Sequence, residues 1–191
     1  MAHKFNPNNK GKLDDILRER EMPPKETLKK LYLKKGEDVL DIGCGIGYFT
    51  MAASEIIGDN GKVYATDVSR DMLKELEIRL HKKRKDNVKV IKGFEYDTDI
   101  EETLVDFILI SNVLHEVEDK KEFLNNYLKK LKNGGKLAII EWKKTITKSG
   151  PPYKERIDIK KLLKIFKEHN IEIIKDIDLT DTHYGVVGIK R

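Results

Sequence analysis

Short apolar runs alternate along the chain with longer segments in which apolar residues return every third or fourth position. Val39–Ile42, Lys62–Asp67, Val88–Ile91, Asp106–Ser111 and Lys136–Glu141 are the short runs. Each is too brief for a helix and reads as a buried strand. Between them, Met72, Leu73, Leu76 and Leu80 share one face of a predicted helix. Phe123, Leu124, Tyr127, Leu128 and Leu131 share a face of another, which Asp119 and Glu122 open as a capping box. Gly134-Gly135 is expected to end that second helix and turn the chain into the next strand. Apolar strands alternating with amphipathic helices predict right-handed crossovers and a parallel sheet covered on both faces.

The pattern changes toward the end. Ile159, Leu162, Leu163 and Phe166 predict one more helix, and Ile171–Ile177 and Tyr184–Ile189 two strands joined through Asp178–Thr182. So short a connection permits an antiparallel hairpin but no parallel crossover. At the other end, Lys12–Arg20 and Pro24–Leu33 carry weaker helical patterns, divided at Met22-Pro23-Pro24. They read either as a packing extension or as a lid. The expected organisation is one domain over residues 1–191, with a helical extension or lid over 1–34 and an α/β core over 35–191.

Composition narrows the classes. Of 191 residues, 39% are hydrophobic and 37% charged, too apolar for a disordered chain. Lys+Arg is 38 and Asp+Glu 33, a net charge of +5 with both signs interspersed. A dedicated nucleic-acid binder more often shows a one-signed arm or patch. The single cysteine, Cys44, can form no internal disulfide and excludes a Cys-cluster zinc site. No run approaches the length of a membrane span, and Met1–Asn9 lacks the apolar core of a signal peptide. The expected location is cytoplasmic.

Val39–Thr50, VLDIGCGIGYFT, carries the strongest chemical signal. A strand runs into Gly43, Gly45 and Gly47, and a helix follows. Glycines at such a turn let backbone approach a ligand closely, and the helix N-terminus welcomes a carboxylate or phosphate. The dinucleotide fingerprint would place its third glycine at position 48, which is Tyr48, and Asp41 would be unfavourable beside a pyrophosphate. An acid there suits a ligand carrying a cationic amine and a carboxylate, such as the methionine part of S-adenosylmethionine. Asp67 ends the second strand, 20 residues beyond Gly47, where an acid can accept from both hydroxyls of a ribose.

With these residues in place the chain resembles the class I S-adenosylmethionine-dependent methyltransferases over about Lys35–Lys144. VLDIGCGIG is similar to the first motif of that family, YATDVS to the second, DFILISNVLHEVED to its fourth-strand segment, and LKNGGKLAIIEW to the helix–turn–strand beyond. More narrowly, the chain resembles small bacterial and archaeal enzymes of the ubiquinone/menaquinone methyltransferase kind. The resemblance implies a Rossmann-like, doubly wound, seven-stranded α/β sheet in the order 3-2-1-4-5-7-6, with strand 7 antiparallel. It implies S-adenosyl-L-methionine as cofactor. Asp41 and the Gly43–Gly47 loop would hold its methionine part, Asp67 its ribose, Val68 and Met72 its adenine, and Asn112 would line the methionine end. Many relatives place Gly-Asp-Ala after the third strand, with the Asp on the adenine amine. Here Gly93-Phe94-Glu95 stands instead, so either Glu95 or the backbone makes that bond.

Methyl transfer needs donor and acceptor held in line, and positioning supplies more than a base does. Groups at the carboxyl ends of the strands are the candidates for acceptor chemistry. His115 and Glu141 are expected to be catalytic; a structural histidine and an acid acting through a partner are the other readings. Glu116, Trp142, His183, Tyr184, Tyr153 and Arg156 lie at the same end, and no metal site is expected. The expected acceptor is a small molecule. A nucleic-acid methyltransferase and a noncatalytic cofactor-binding module are the alternatives; an NAD-dependent oxidoreductase conflicts with Asp41 and Tyr48.

Overall fold

The structure, a computed structural model, describes residues 16–147 and 149–191. Met1–Asn9, read above as lacking a signal peptide, and residues 12–15 of the first expected helix lie outside the described residues. Helices α1 (Ile16–Glu21) and α2 (Pro24–Lys30) lead into β1 (Val39–Ile42), α3 (Tyr48–Ile57), β2 (Val63–Asp67), α4 (Arg70–Lys83), β3 (Val88–Lys92) and β4 (Val105–Ser111). Then come α5 (Lys120–Leu128), β5 (Leu131–Trp142), α6 (Ile159–Glu168), β6 (Ile171–Asp178) and β7 (His183–Lys190).

The seven strands form one sheet in the order β3-β2-β1-β4-β5-β7-β6. β1 pairs in parallel with β2 and β4, β2 with β3, and β4 with β5. β7 runs antiparallel to both β5 and β6, as the short 178–182 connection requires. The expected order and the antiparallel edge are both observed.

Alternating side chains send each central strand into two cores. Leu40, Ile42, Ile108, Ile110, Leu137 and Ile139 pack with Phe123, Tyr127, Leu162 and Phe166 of α5 and α6 on one face. Val39, Phe107, Leu109, Ala138 and Ile140 pack with Phe49, Ala53 and Ile57 of α3 on the other. Met22, Leu28, Leu31 and Leu33 are part of that second core, and the Tyr48 hydroxyl donates to the Met22 carbonyl at 2.9 Å. Residues 22–33 are thus built into the sheet's cover. A third cluster, Leu73, Leu76 and Leu80 against Ala65 and Cys44, seats α4.

Side chains cap the starts of α4, α5 and α6, although the Asp119 N–H donates to the Tyr96 hydroxyl, so the returning half of the expected Asp119–Glu122 box is not made. Asp119 accepts from the backbone N–H of Lys121 and Glu122, Ser69 from Met72 and Asp158 from Lys160. A second local expectation is overturned. Gly134-Gly135 does not end α5, which stops at Leu128, and Leu131 belongs to β5, opposite Val105. The register with β4 shifts between Val105 and Phe107, so the two glycines lie in an irregular stretch of strand. Leu131 is fully buried in either reading, and helical periodicity could not separate the two.

Candidate active site

Three strand ends converge at the carboxyl edge of the sheet. β1 delivers Asp41 and then the glycine turn. Asp41 is buried at 3% exposure, and its Oδ2 accepts from the Thr50 hydroxyl at 2.6 Å. Burial pushes its carboxyl up to about 6, the Thr50 bond opposing and the Asp67 charge assisting. Thr50 sits in the first turn of α3 and is completely buried. It lies within the VLDIGCGIGYFT motif, but nothing in the sequence marks it, because a threonine in a helix usually signifies little.

The turn leaves no room for larger residues. Gly43 has φ +68°, and a Cβ there would fall 2.3 Å from Val113 Cγ2. Gly47, the N-cap of α3, has φ +90°, and its Cβ would fall 2.4 Å from Leu76 Cδ1. The N–H groups of Gly43 and Cys44 both donate to the Thr66 carbonyl, at 2.8 and 3.0 Å. Burial, with the charges of Asp41 and Asp67, pushes the Cys44 thiol well above its ordinary range, so it is no nucleophile at neutral pH.

β2 delivers Asp67. Its Oδ2 accepts from Gly45 N at 2.9 Å and its Oδ1 from Ser69 N at 2.8 Å. Burial raises its carboxyl, against the pull of those bonds and of Lys92. Lys92 donates to the carbonyls of Val68 at 2.7 Å and Gly93 at 2.9 Å, tying the ends of β2 and β3 together. Val68 is 49% exposed, and Met72 is buried one turn into α4. Glu95 lies half-buried in the turn after β3, beside the 70% exposed Phe94.

β4 delivers Ser111 and Asn112. Asn112 has φ +57°, the left-handed conformation that asparagine adopts more readily than most residues, and its N–H donates to the Ile140 carbonyl at 2.9 Å. Ser111 Oγ and Asn112 Oδ1 are buried atoms with no hydrogen-bond partner among the described residues. Buried polar atoms left this way have hydrogen-bonding capacity that a polar ligand could use. The pairing of β1 with β4 sets this position against the glycine turn, where Val113 touches Gly43.

His115 and Glu141 are brought together. Glu141 is completely buried on β5; its Oε1 accepts from His115 N at 3.1 Å, and its Oε2 lies 2.7 Å from His115 Nδ1. His115 is itself 5% exposed, in the short turn Leu114–Glu116, and its Nε2 lies 3.9 Å from Glu116 Oε1. Burial pushes the imidazole down. The Glu141 bond and charge, with Glu116 and Glu155, outweigh burial and hold it above its ordinary value. Trp142 is half-buried and packed: His183 lies 4.1 Å away ring to ring, Arg156 sits over the indole at 5.2 Å, and Gly150 packs against it. Tyr184 is buried with its hydroxyl on the Ile157 carbonyl at 2.8 Å. Among the described residues no cluster of His, Cys, Asp or Glu could hold a metal ion.

The sequence profile of the ubiE/COQ5 methyltransferase family matches residues 17–156, most of the chain. The chain belongs to this family. A demethylmenaquinone methyltransferase of Geobacillus sp. (strain WCH70) is 31% identical over 116 residues, 61% of this chain and 50% of that protein. One of Listeria welshimeri is 32% identical over 117 residues, 61% and 50% of the two chains. The chain thus spans about half the length of the curated relatives it matches. The crystal structure of a SAM-dependent methyltransferase from Aquifex aeolicus superposes with a TM-score of 0.93 at 32% identity, covering 98% of this chain and 100% of that one. The [4+2]-cyclase SpnF superposes at 0.74 with 14% identity, over 87% and 81% of the chains. That likeness is one of fold alone.

The residues at the sheet edge suit S-adenosylmethionine. A buried carboxylate, a glycine turn that excludes side chains, a second carboxylate and two orphaned polar atoms line one side of it.

Proposed function

We propose that this ubiE/COQ5-family chain transfers a methyl group from S-adenosylmethionine to a small aromatic acceptor of the quinol type. The carrying observation is the arrangement of Asp41, the glycine turn and Asp67 around one edge, with the buried His115–Glu141 pair on the neighbouring strands. When bound, S-adenosylmethionine supplies an electrophilic methyl carbon on a sulfonium.

In this reading Asp41 accepts from the cofactor's ammonium, and the N-terminus of α3 with the Gly43–Gly47 backbone takes its carboxylate. Asp67 accepts from the ribose hydroxyls with the lone pairs that Gly45 and Ser69 leave free. Val68 and Met72 border the adenine, and Glu95 reaches its amine. Asn112 Oδ1 and Ser111 Oγ face the methionine end. Glu141 holds the imidazole through Nδ1, which leaves Nε2 as the proton acceptor. Nε2 would take the acceptor's hydroxyl proton; the adjacent ring carbon would then form its bond to the methyl as the S–CH3 bond breaks to leave a neutral thioether, and would lose its own proton to solvent to restore the aromatic ring. A base of this kind contributes roughly 10²–10⁴-fold. His115 is then the catalytic residue, and Glu141 a positioning residue that acts through it.

The test combines the full chain, S-adenosylmethionine and a short-chain demethylated naphthoquinol, with the product read by mass. Methylated quinol, lost on His115→Ala while cofactor affinity holds, is the expected result. Cofactor binding without quinol methylation would overturn the acceptor assignment.

A further inference from the structure

The segment joining β5 to α6 is built around one side chain. Arg156 is 4% exposed. Its Nε donates to the Pro151 carbonyl at 2.9 Å, and its Nη1 to those of Lys143 and Thr145 at 3.3 and 2.7 Å. Its Nη2 donates to the Thr147 hydroxyl at 2.6 Å and the Ser149 carbonyl at 2.9 Å. The five N–H donors of a guanidinium thus meet five neutral oxygens of a single loop. Trp142 forms the floor beneath the cation, at 5.2 Å.

With its polar backbone turned inward, the loop presents apolar side chains and lysines. Ile146 is 93% exposed, the most of any large hydrophobic residue among those described, and Tyr153 is 52% exposed. Lys144 Nζ lies 5.4 Å over the Tyr153 ring. Residues 143–156 carry Lys143, Lys144, Lys148, Lys154 and Arg156 against one acid, Glu155. Of these, Lys143 is paired with Asp178 at 3.0 Å. A lone exposed aliphatic residue needs no explanation. An aliphatic tip on a clamped, lysine-rich loop does.

We propose that the 143–156 loop is a foot that docks the protein on an anionic lipid bilayer. Ile146 enters the acyl boundary, Tyr153 sits at headgroup depth, and the lysines meet anionic headgroups. Bringing a loop into that region is costly chiefly because its carbonyls lose water. Arg156 has already satisfied four of them. Each lysine near such a surface strengthens binding about fivefold. An RNA would use the same lysines but would gain nothing from the aliphatic tip. The loop leaves the sheet directly after Glu141 and Trp142. Docking therefore sets the carboxyl edge of the sheet, where Asp41, Asp67 and His115 lie, beside the bilayer.

The proposal stands on the loop's own contacts, and its test needs neither cofactor nor acceptor, so it fails or holds apart from methyl transfer. The full chain is sedimented with vesicles of phosphatidylcholine alone and of phosphatidylcholine with phosphatidylglycerol. Binding to the mixed vesicles and not to the zwitterionic ones is expected. Ile146→Asp and Lys154→Glu should each weaken it at least about fivefold, with thermal unfolding and S-adenosylmethionine affinity unchanged. Absence of wild-type binding to the mixed vesicles overturns the proposal, as does binding that Ile146→Asp leaves intact. Binding to RNA in place of vesicles, sensitive to Lys154→Glu but not to Ile146→Asp, would assign the loop to nucleic acid instead.

Discussion

Asp67 at the end of β2 holds the turn that leaves β1: its Oδ2 accepts from Gly45 N at 2.9 Å while its Oδ1 accepts from Ser69 N at 2.8 Å. One carboxylate thereby fixes the glycine turn and the entry to α4. Its proposed hold on the ribose comes in addition to this duty. Charge-assisted bonds are worth roughly 1.5–3 kcal/mol each. Asp67→Ala should lower S-adenosylmethionine affinity at least about tenfold by calorimetry. Asp67→Asn, which keeps one good acceptor, should lose less. Unchanged affinity in both would remove Asp67 from the cofactor site.

Asp41 sets a conflict between stability and binding. Its carboxyl is pushed up to about 6 from 3.8. A raised value means that the unliganded fold loses stability as pH climbs from about 4 through about 6, on the order of 3 kcal/mol in all. The ionised form is the one that attracts an ammonium. Cofactor affinity should therefore fall as pH drops below about 6. Asp41→Asn should raise the melting temperature of the free protein at neutral pH, weaken cofactor binding and flatten its pH dependence. A variant that is less stable and binds as before would contradict the assignment.

Glu141 governs the charge of His115. Burial alone would lower the imidazole, and the Glu141 carboxylate is the main influence that raises it. A base acts unprotonated, so the rate should climb with pH through a value above 6.5. Glu141→Gln should move that limb to lower pH and reduce kcat more than KM. Its hydrogen-bonding shape is retained, so folding should survive. Glu141→Ala, which leaves a buried partner unpaired, should cost about 3–5 kcal/mol of stability. A pH profile identical in Glu141→Gln would show that the pair is structural only.

Two glycines with positive φ separate crowding from conformation. Gly36 has φ +79°, and among the described residues nothing lies within 4 Å of where a Cβ would fall, whereas Gly43 has φ +68° and a Cβ there would fall 2.3 Å from Val113. Gly36→Ala should cost only the left-handed strain, about 1–2 kcal/mol. Gly43→Ala should cost more and abolish cofactor binding, and Val113→Ala should restore part of both in the double variant. Chemical denaturation and calorimetry give the two readouts.

By itself, the sequence determined the alternation of strands and helices, the sheet's antiparallel edge and the nature of the glycine turn. Those are local signals: period, glycine spacing, an acid two residues before the turn, a connection too short to cross over. It determined less at Gly134-Gly135, because an apolar stretch before two glycines suits a helix end and an irregular strand alike, and pairing with Val105 decided between them. Only the tertiary structure could join His115 to Glu141 across 26 positions, seat Thr50 on Asp41, or orphan Asn112 Oδ1. It alone showed that Trp142 packs between His183 and Arg156 and that Arg156 clamps its loop. Those facts depend on which strand ends the sheet order makes neighbours, and on how much water burial removes from each polar group. Neither quantity is a property of any short stretch of chain.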